Sequence, residues 1–589
     1  MTKRPCRWST LLTAWCTRNN LASRRALQIL CVLVFCAIPA ISASAQVTFT
    51  TLVTFDGTDG KWPNLMNLAQ GADGNLYGTT SFGGDVCTGF SGCGTIFKVS
   101  PSGALTTLYE FCPQTGCIDG SVPLGTLVQA SNGDFYGVTT SGGSSSQCNG
   151  GCGTIFKIGP AGKFTTLYNF CTLANCSDGD EPFAGLAQGG NGNFYGTTAL
   201  GGLNNEGTIF EITPTGTLTT LYSFCALATC ADGEEPSAGL VQGRNGEFYG
   251  EASAGGTSGC GTIFKITPKG PLTTLFSFDF THGCGPMGGL IQAASGDFYG
   301  VTVTGGSGFN CEIDGNCGTV FKMSPEGTLT TLYNFCASDC TDGAEPFGPL
   351  VQGTDGNFYG TTYGYPSSGP ANVGTIFKIT PKGILTTLFT LGGAHGNQPA
   401  GGLLQSTNGT FYGTTLGGGS GNNGTVFSLS TGLGPFVKTQ PASAREGAKI
   451  VIFGQGFDHS SVVKFGGVQA TNVKVSGSTY LFATVPASAL TGPVAVTATT
   501  LISNQPFRVK PQVVSFDPPS GSVGTQVTIA GVGFMQTNGV GFGDNVPAQF
   551  TVNSDTEITA MVPAGAKTGP IGVVTKGGTT ISSSTFTLN

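Results

Sequence analysis

No stretch of this chain shows a sustained helical period, and charge is scarce: Asp, Glu, Lys and Arg together make up 10% of 589 residues. The first absence excludes helical bundles and long coiled coils. Bases are fewer than acids, 25 against 32, which disfavours nucleic acid and anionic membrane surfaces as partners. Histidine is rarer still, with three residues in all. The sequence displays an architecture and a compartment but no reaction.

Glycine, in contrast, is abundant at 97 residues, and it punctuates a repeat. A Phe-Tyr-Gly triplet (Leu-Tyr-Gly in the first copy) places Tyr77, Tyr136, Tyr195, Tyr249, Tyr299, Tyr359 and Tyr412 at intervals of 50 to 60 residues. Such a period marks a repeat fold with one supersecondary unit per copy. The second copy holds four β runs, at 125–130, 134–140, 153–158 and 163–170. Asn132-Gly133 suits a tight hairpin, and Pro160-Ala161-Gly162 suits the next turn. Four antiparallel strands repeated seven times predict a propeller. The seventh copy ends at 424–430 without its fourth strand, and a strand of that type, VTFTTLVTF (47–55), precedes the first copy. Pairing the two closes a ring and removes exposed sheet edges. The expected fold is therefore all-β: a seven-bladed β-propeller over 46–431, followed by two Ig-like β-sandwiches over 435–510 and 511–589.

Residues 1–25 carry six bases and no acid, an apolar run follows from Ala26 to about Ile41, and Ala43-Ser44-Ala45 supplies a small-x-small site. These features describe a signal peptide over 1–45, cleaved after Ala45. The apolar run is short for a membrane span. Cleavage leaves 19 Lys+Arg against 32 Asp+Glu, a mature charge near −13. No sorting signal follows the last run, STFTLN, so the mature chain is expected to be secreted, periplasmic or cell-surface, without a transmembrane segment.

Sixteen cysteines remain, in even numbers per repeat. Local pairs recur between the last strand of one blade and the first of the next, Cys112/Cys117, Cys171/Cys176, Cys225/Cys230 and Cys336/Cys340. Others fall between second and third strands, Cys87/Cys93, Cys148/Cys152 and Cys311/Cys317. Cys260 and Cys284 occupy one loop of each type, which open on the same face. Zinc knuckles need four converging ligands at shorter spacings, so eight disulfides in an exported protein are expected.

Before the first strand of most blades stands Asp-Gly-x-x-Pro, at 59–63, 119–123, 178–182, 232–236 and 342–346. The propeller places these loops beside the tunnel mouth. Asp59, Asp119, Asp178, Asp232 and Asp342, joined by Glu181, Glu235 and Glu345, would then form an acidic rim able to hold Ca²⁺ or sugar hydroxyls. The competing reading makes each Asp the cap of its own turn. That turn reading is preferred, with the acidic rim as its by-product. No cofactor is required on either reading.

The composite GNFYGTT…GGTIFKITPxGTLTTLYSF closely resembles the GloVer extracellular tandem repeat of bacteria over roughly 47–430, a resemblance that brings no known catalytic residue. It is distantly similar to streptogramin lyase propellers, which use a His base and magnesium. Here His282 and His395 are read as occupying non-equivalent rim loops and His459 as lying beyond the propeller. A second period of 77 residues relates Phe457 to Phe534 and Phe465 to Phe542. It resembles IPT/TIG domains, spacers or binding modules in secreted bacterial proteins. Together these readings imply a non-catalytic adhesion protein for a glycan or an envelope protein. The alternative is a lyase or hydrolase acting on a polysaccharide or lactone at the tunnel mouth.

Overall fold

The computed structural model describes residues 47–589 apart from 64–66, 86–92, 115, 131, 149, 269, 308–316, 337–339, 365–372 and 498. The expected signal segment, Cys87 and Cys311 lie outside the described residues. The described chain is almost entirely β, and its repeat region forms propeller-like four-stranded sheets.

The second repeat shows why these residues make this unit. A two-residue inner strand, Val128–Gln129, pairs with Phe135–Thr139, then Thr154–Ile158, then Phe164–Asn169, all antiparallel. Phe135–Thr139 is buried along its whole length, because both sheet faces pack against neighbouring blades. Tyr136 stacks on Phe194 of the next blade at 4.1 Å. The same contact recurs between Tyr77 and Phe135, Tyr195 and Phe248, Tyr249 and Phe298, Tyr299 and Phe358, and Tyr359 and Phe411. Each such pair stabilises its blade junction by roughly 0.5–1.5 kcal/mol beyond area burial. The triplet glycine is needed for a local reason: a Cβ on Gly137 would sit 2.5 Å from the Phe156 ring of its own blade.

Seven antiparallel sheets of this kind are present among the described residues, six of four strands and one of five, in which Lys61–Pro63 also pairs with Leu76–Phe82. In one of them Thr48–Thr54 is the outer strand, paired antiparallel with Thr425–Ser430. The two ends of the repeat region therefore share one sheet. At that seam Tyr412 and Leu76 fall in one buried cluster with Val53 and Phe55, so the first copy's leucine stands where other junctions have phenylalanine.

Strands run up and down within each sheet. The fourth-to-first and second-to-third loops thus share one face, and the first-to-second and third-to-fourth turns share the other. Disulfides sit on the first face. Cys112–Cys117, Cys171–Cys176, Cys225–Cys230 and Cys336–Cys340 close fourth-to-first loops, and Cys148–Cys152 closes a second-to-third loop. Cys260–Cys284 ties one loop type to the other. Loops of four or five residues constrain little of the unfolded chain, so these bonds chiefly hold their own loops.

Cys93 and Cys317 are also disulfide-bonded. The pairings expected for them, Cys87 with Cys93 and Cys311 with Cys317, each fall on a residue outside the described ones. Cys317 is buried in one cluster with Cys336, Cys340 and Ala344, and its carbonyl accepts from Glu345 N at 3.1 Å. It therefore packs against the disulfide of the adjoining fourth-to-first loop. The reason is geometric, since the two loop types share a face and Cys317 stands directly before the third strand, Thr319–Met323.

The C-terminal region forms two β-sandwiches. The first packs Ile450, Ile452, Phe457, Val463, Phe465, Leu481 and Phe507 between its sheets, and the second packs Val527, Ile529, Phe534, Phe542, Ile558 and Phe586. Phe457 and Phe534, and Phe465 and Phe542, occupy matching core positions, which explains the 77-residue period. Among the described residues no helix is long and apolar enough to cross a membrane.

Candidate functional site

On the disulfide face the Asp-Gly-x-x-Pro aspartates turn inward. Asp178 and Asp232 are fully buried, Asp119 nearly so, and Asp59 and Asp342 half-buried. Asp178 Oδ2 accepts hydrogen bonds from the Tyr168 hydroxyl (2.8 Å), Thr172 N (3.0 Å) and Thr172 Oγ1 (2.9 Å), and its Oδ1 accepts from Leu173 N (3.2 Å). Asp232 is held likewise by the Tyr222 hydroxyl, Ala226 N and Leu227 N, at 2.8, 2.9 and 3.0 Å. Tyr109 donates to Asp119 at 2.8 Å and Tyr333 to Asp342 at 2.9 Å. Burial first, and the adjacent carboxylate second, push the Tyr109 and Tyr222 hydroxyls above their ordinary range. Asp59 lacks a tyrosine partner, since its preceding strand carries Val53; it accepts from Asp56 N at 2.9 Å, and burial raises its pKa.

What the rim presents to solvent is the second acid of the motif. Glu181 and Glu235 are exposed and Glu345 is half-buried, all three with left-handed backbone at φ 52–55°. Burial and then Glu181 raise Asp180 to about 6. Glu206 is raised by burial and by Glu234 and Glu235. The face is acidic, but its aspartates are committed to the loops.

The opposite face carries a concavity. Short inner strands wall a chamber of about 580 Å³, and the first sandwich lines the rest of it. Thr407, in a first-to-second turn, accepts from Phe436 N at its carbonyl (3.0 Å) and donates through Oγ1 to the Gly454 carbonyl (3.3 Å). Thr479 Oγ1 donates to the Ala72 carbonyl at 3.0 Å, and Gln505 Nε2 to Gln352 Oε1 at 3.0 Å. Leu127, Ile291, Leu350 and Leu404 supply apolar wall, while Arg244, Lys438 and Arg508 supply charge. Among the described lining residues none is Asp, Glu or His. Lys438 is exposed on the chamber side, and the protein packed around it lowers its pKa by desolvation. Burial, then Arg244, lower Arg508 to about 10.

A family model described as the Gloeobacter/Verrucomicrobia repeat matches residues 40–188, 148–365 and 312–452. The chain belongs to that family. The IPT/TIG domain model matches 437–507 and 511–588, the two sandwiches. No curated protein matches the chain significantly. Among solved structures, a fungal alcohol oxidase of the AA5 family in complex with copper is 14% identical, covering 90% of this chain and 98% of its own, with a TM-score of 0.43. A putative gluconolactonase is 11% identical over 48% of this chain and 82% of its own, TM-score 0.29. A surface glycan-binding protein from Prevotella bryantii is 22% identical over 26% and 38%, TM-score 0.20. Likeness at this level carries no argument about function.

Within these Gloeobacter/Verrucomicrobia repeats two features escape a reading of the sequence. One is a glutamine that ends each inner strand. Its Oε1 accepts from the turn backbone of the preceding blade: Ala72 N to Gln129, Gly190 N to Gln242, Arg244 N to Gln292, Ala294 N to Gln352, and Thr354 N to Gln405, at 3.0–3.2 Å. Gln70 does the same for Thr407 N at 3.0 Å, across the seam. The other is a substitution rule. The next-to-last residue of the fourth strand is Tyr in four of the five cases where the next loop has Asp-Gly (Val53 precedes Asp59), and Phe in both cases where it has His-Gly. Phe276 meets His282 edge-on at 5.6 Å, and Phe389 meets His395 likewise at 5.6 Å. The two histidines are therefore equivalent, contrary to the expectation from sequence, and they fill the slot that Asp fills elsewhere.

One residue breaks the repeat strongly. Glu251 replaces the Thr or Val of the other blades, is wholly buried, and accepts from Gly289 N at 2.9 Å. Desolvation raises its pKa to about 8. The folded protein thus keeps a proton that the unfolded chain, at 4.5, releases. The corresponding stability is fully present below pH 4.5 and is lost as pH rises through 8. Between pH 5 and 9 the melting temperature of the native protein should fall relative to that of Glu251→Gln, by the equivalent of a few kcal/mol. Parallel profiles for the two proteins would show that Glu251 ionises freely in the fold.

Proposed function

We propose that this is an exported adhesion-type protein that captures a glycan or a glycan-bearing envelope component, with the propeller as platform and the TIG domains as clamp and spacer. The chamber between the inner strands and the first TIG domain carries this reading. Its volume falls within the range of small-ligand sites, about 300–1,000 Å³, and sites of this kind favour domain interfaces. Thr439, Gln440, Ser503 and Asn504 line it together with the inner strands, which contribute glutamines and apolar residues alike. That mixture suits a sugar, which offers hydroxyls at its edges and C–H groups on its faces. Disulfides on the opposite face fit an oxidising compartment outside the cytoplasm.

The test is a glycan-array screen of the full mature protein, with the bound glycan recovered and its mass measured. A defined glycan class retained and returned intact is the expected result. Release of cleaved sugar would overturn the adhesion reading in favour of turnover, and a blank array would remove glycans from the reading.

A further inference from the structure

Cations are few in this chain, yet several gather where the propeller meets the TIG domains. Arg244, Lys438 and Arg508 line the chamber. Lys510 lies beside them, with its Nζ against Gly190 in another first-to-second turn. None of the four forms an ion pair among the described residues, where the pairs are Lys265–Glu247, His282–Asp279, Lys322–Asp297 and Lys567–Asp544. Arg244 spends one guanidinium nitrogen on the Ala293 and Ala294 carbonyls, at 2.9 and 2.8 Å. For the side chains of Lys438, Arg508 and Lys510 no hydrogen bond is seen among the described residues. Desolvation acts on all four and neighbouring positive charge on Arg508 and Lys510, while Asp297 offsets part of the burial at Arg244. Arg508 is depressed by burial and by Arg244, and Lys510 by burial, then by Arg508 and Arg445.

Partly desolvated cations that form no ion pair are costly, and several together more so. Repulsion of this kind is relieved when an anion enters, and guanidinium groups grip oxyanions with directional hydrogen bonds. The rest of the wall supplies partners for hydroxyls. We propose that the chamber is a binding site for an acidic saccharide, whose carboxylate, sulfate or phosphate group sits among Arg244, Lys438 and Arg508. This rests on the adhesion reading above and specifies its ligand class.

The two can be separated in one experiment. The full mature protein is titrated calorimetrically with a uronic-acid disaccharide, a sulfated disaccharide, a phosphorylated sugar and a neutral disaccharide of matched size. The same series is run on Lys438→Met, whose side chain opens onto the chamber rather than into a core, and on Arg508→Gln. At least one acidic sugar should bind more than tenfold tighter than the neutral one. Lys438→Met should weaken it about tenfold or more while melting at or above the native temperature, since an unpaired charge has been removed. The arm that binds names the oxyanion. Equal binding of neutral and acidic sugars, or acidic binding unchanged in both variants, overturns the anionic site and leaves the adhesion reading standing. Failure of every sugar to bind overturns the acidic-saccharide site, and the array then decides the adhesion reading separately.

Discussion

A protein lacking residues 47–55 should lose its monomeric, cooperative behaviour. In the native fold this segment is the outer strand of the sheet that also contains the last repeat, with Thr48 opposite Ser430 and Thr54 opposite Thr425. Its deletion strips the partner from Thr425–Ser430, leaving a row of unpaired backbone donors and acceptors on an apolar strand, the usual template for edge-to-edge association. It also removes Val53 and Phe55, which are 9% and 0% exposed and join Leu68, Phe97 and Val426 at the seam. Burial of side chains of this size stabilises by about 1.5–3 kcal/mol each. Phe55→Ala alone, in the full chain, should cost about 3–5 kcal/mol because a cavity remains beside the Phe97 ring, 5.3 Å away. Light scattering and thermal melts of both variants provide the measurement. A deletion variant that stays monomeric and melts like the native protein would show that the seam does not hold the fold.

Asp178→Asn, and likewise Asp232→Asn, should destabilise far more than a turn substitution. Asn supports the ordinary Asx turn, which from the sequence suggests a cost within about 1 kcal/mol. The carboxylate of Asp178, however, receives four hydrogen bonds, three at Oδ2. An amide presents one acceptor and turns two donors toward groups that are themselves donors. Leaving such buried groups unmatched costs about 1–3 kcal/mol each, so roughly 2–4 kcal/mol is expected per site. Tyr168→Phe should cost only about 1 kcal/mol, as the loss of a single bond. The chain itself suggests the rescue: Tyr222→Phe with Asp232→His reproduces the pairing of Phe276 with His282 and should regain part of what Asp232→His alone loses. Melting temperatures decide it. Asn variants indistinguishable from the native protein would mean that these carboxylates do not hold the loops.

These aspartates show where the sequence was legible and where it was not. Strand order, the displaced first strand and the cysteine loops follow from spacing, because each depends on neighbours along the chain. The direction an Asp side chain takes depends on a tyrosine about ten residues upstream on a different strand. The signal was present as a repeat-by-repeat exchange of Tyr with Asp for Phe with His, but it appears only when strand and loop are compared jointly. Gln129 and its equivalents are hidden for a similar reason. In a two-residue strand a lone Gln reads as an ordinary polar residue, and its partner is a backbone N–H in another blade. The chamber was least legible, since Arg244 and Lys438 lie far apart in sequence and meet only through docking of the sandwich.

The sharing of one sheet by Thr48–Thr54 and Thr425–Ser430 also sets a timetable. Closing a loop of about 380 residues rather than a short hairpin adds only about 3 kcal/mol of chain entropy, so the delay matters more than the equilibrium cost. At roughly 5–20 residues per second, the first strand waits on the order of 20 s or longer before its own partner has been made. Throughout that interval the same partner strand is on offer only from finished or nearly finished copies nearby. Intertwined pairs, each lending its first strand to the other, should therefore accumulate when many chains are made at once. Refolding at high dilution should yield the single ring instead.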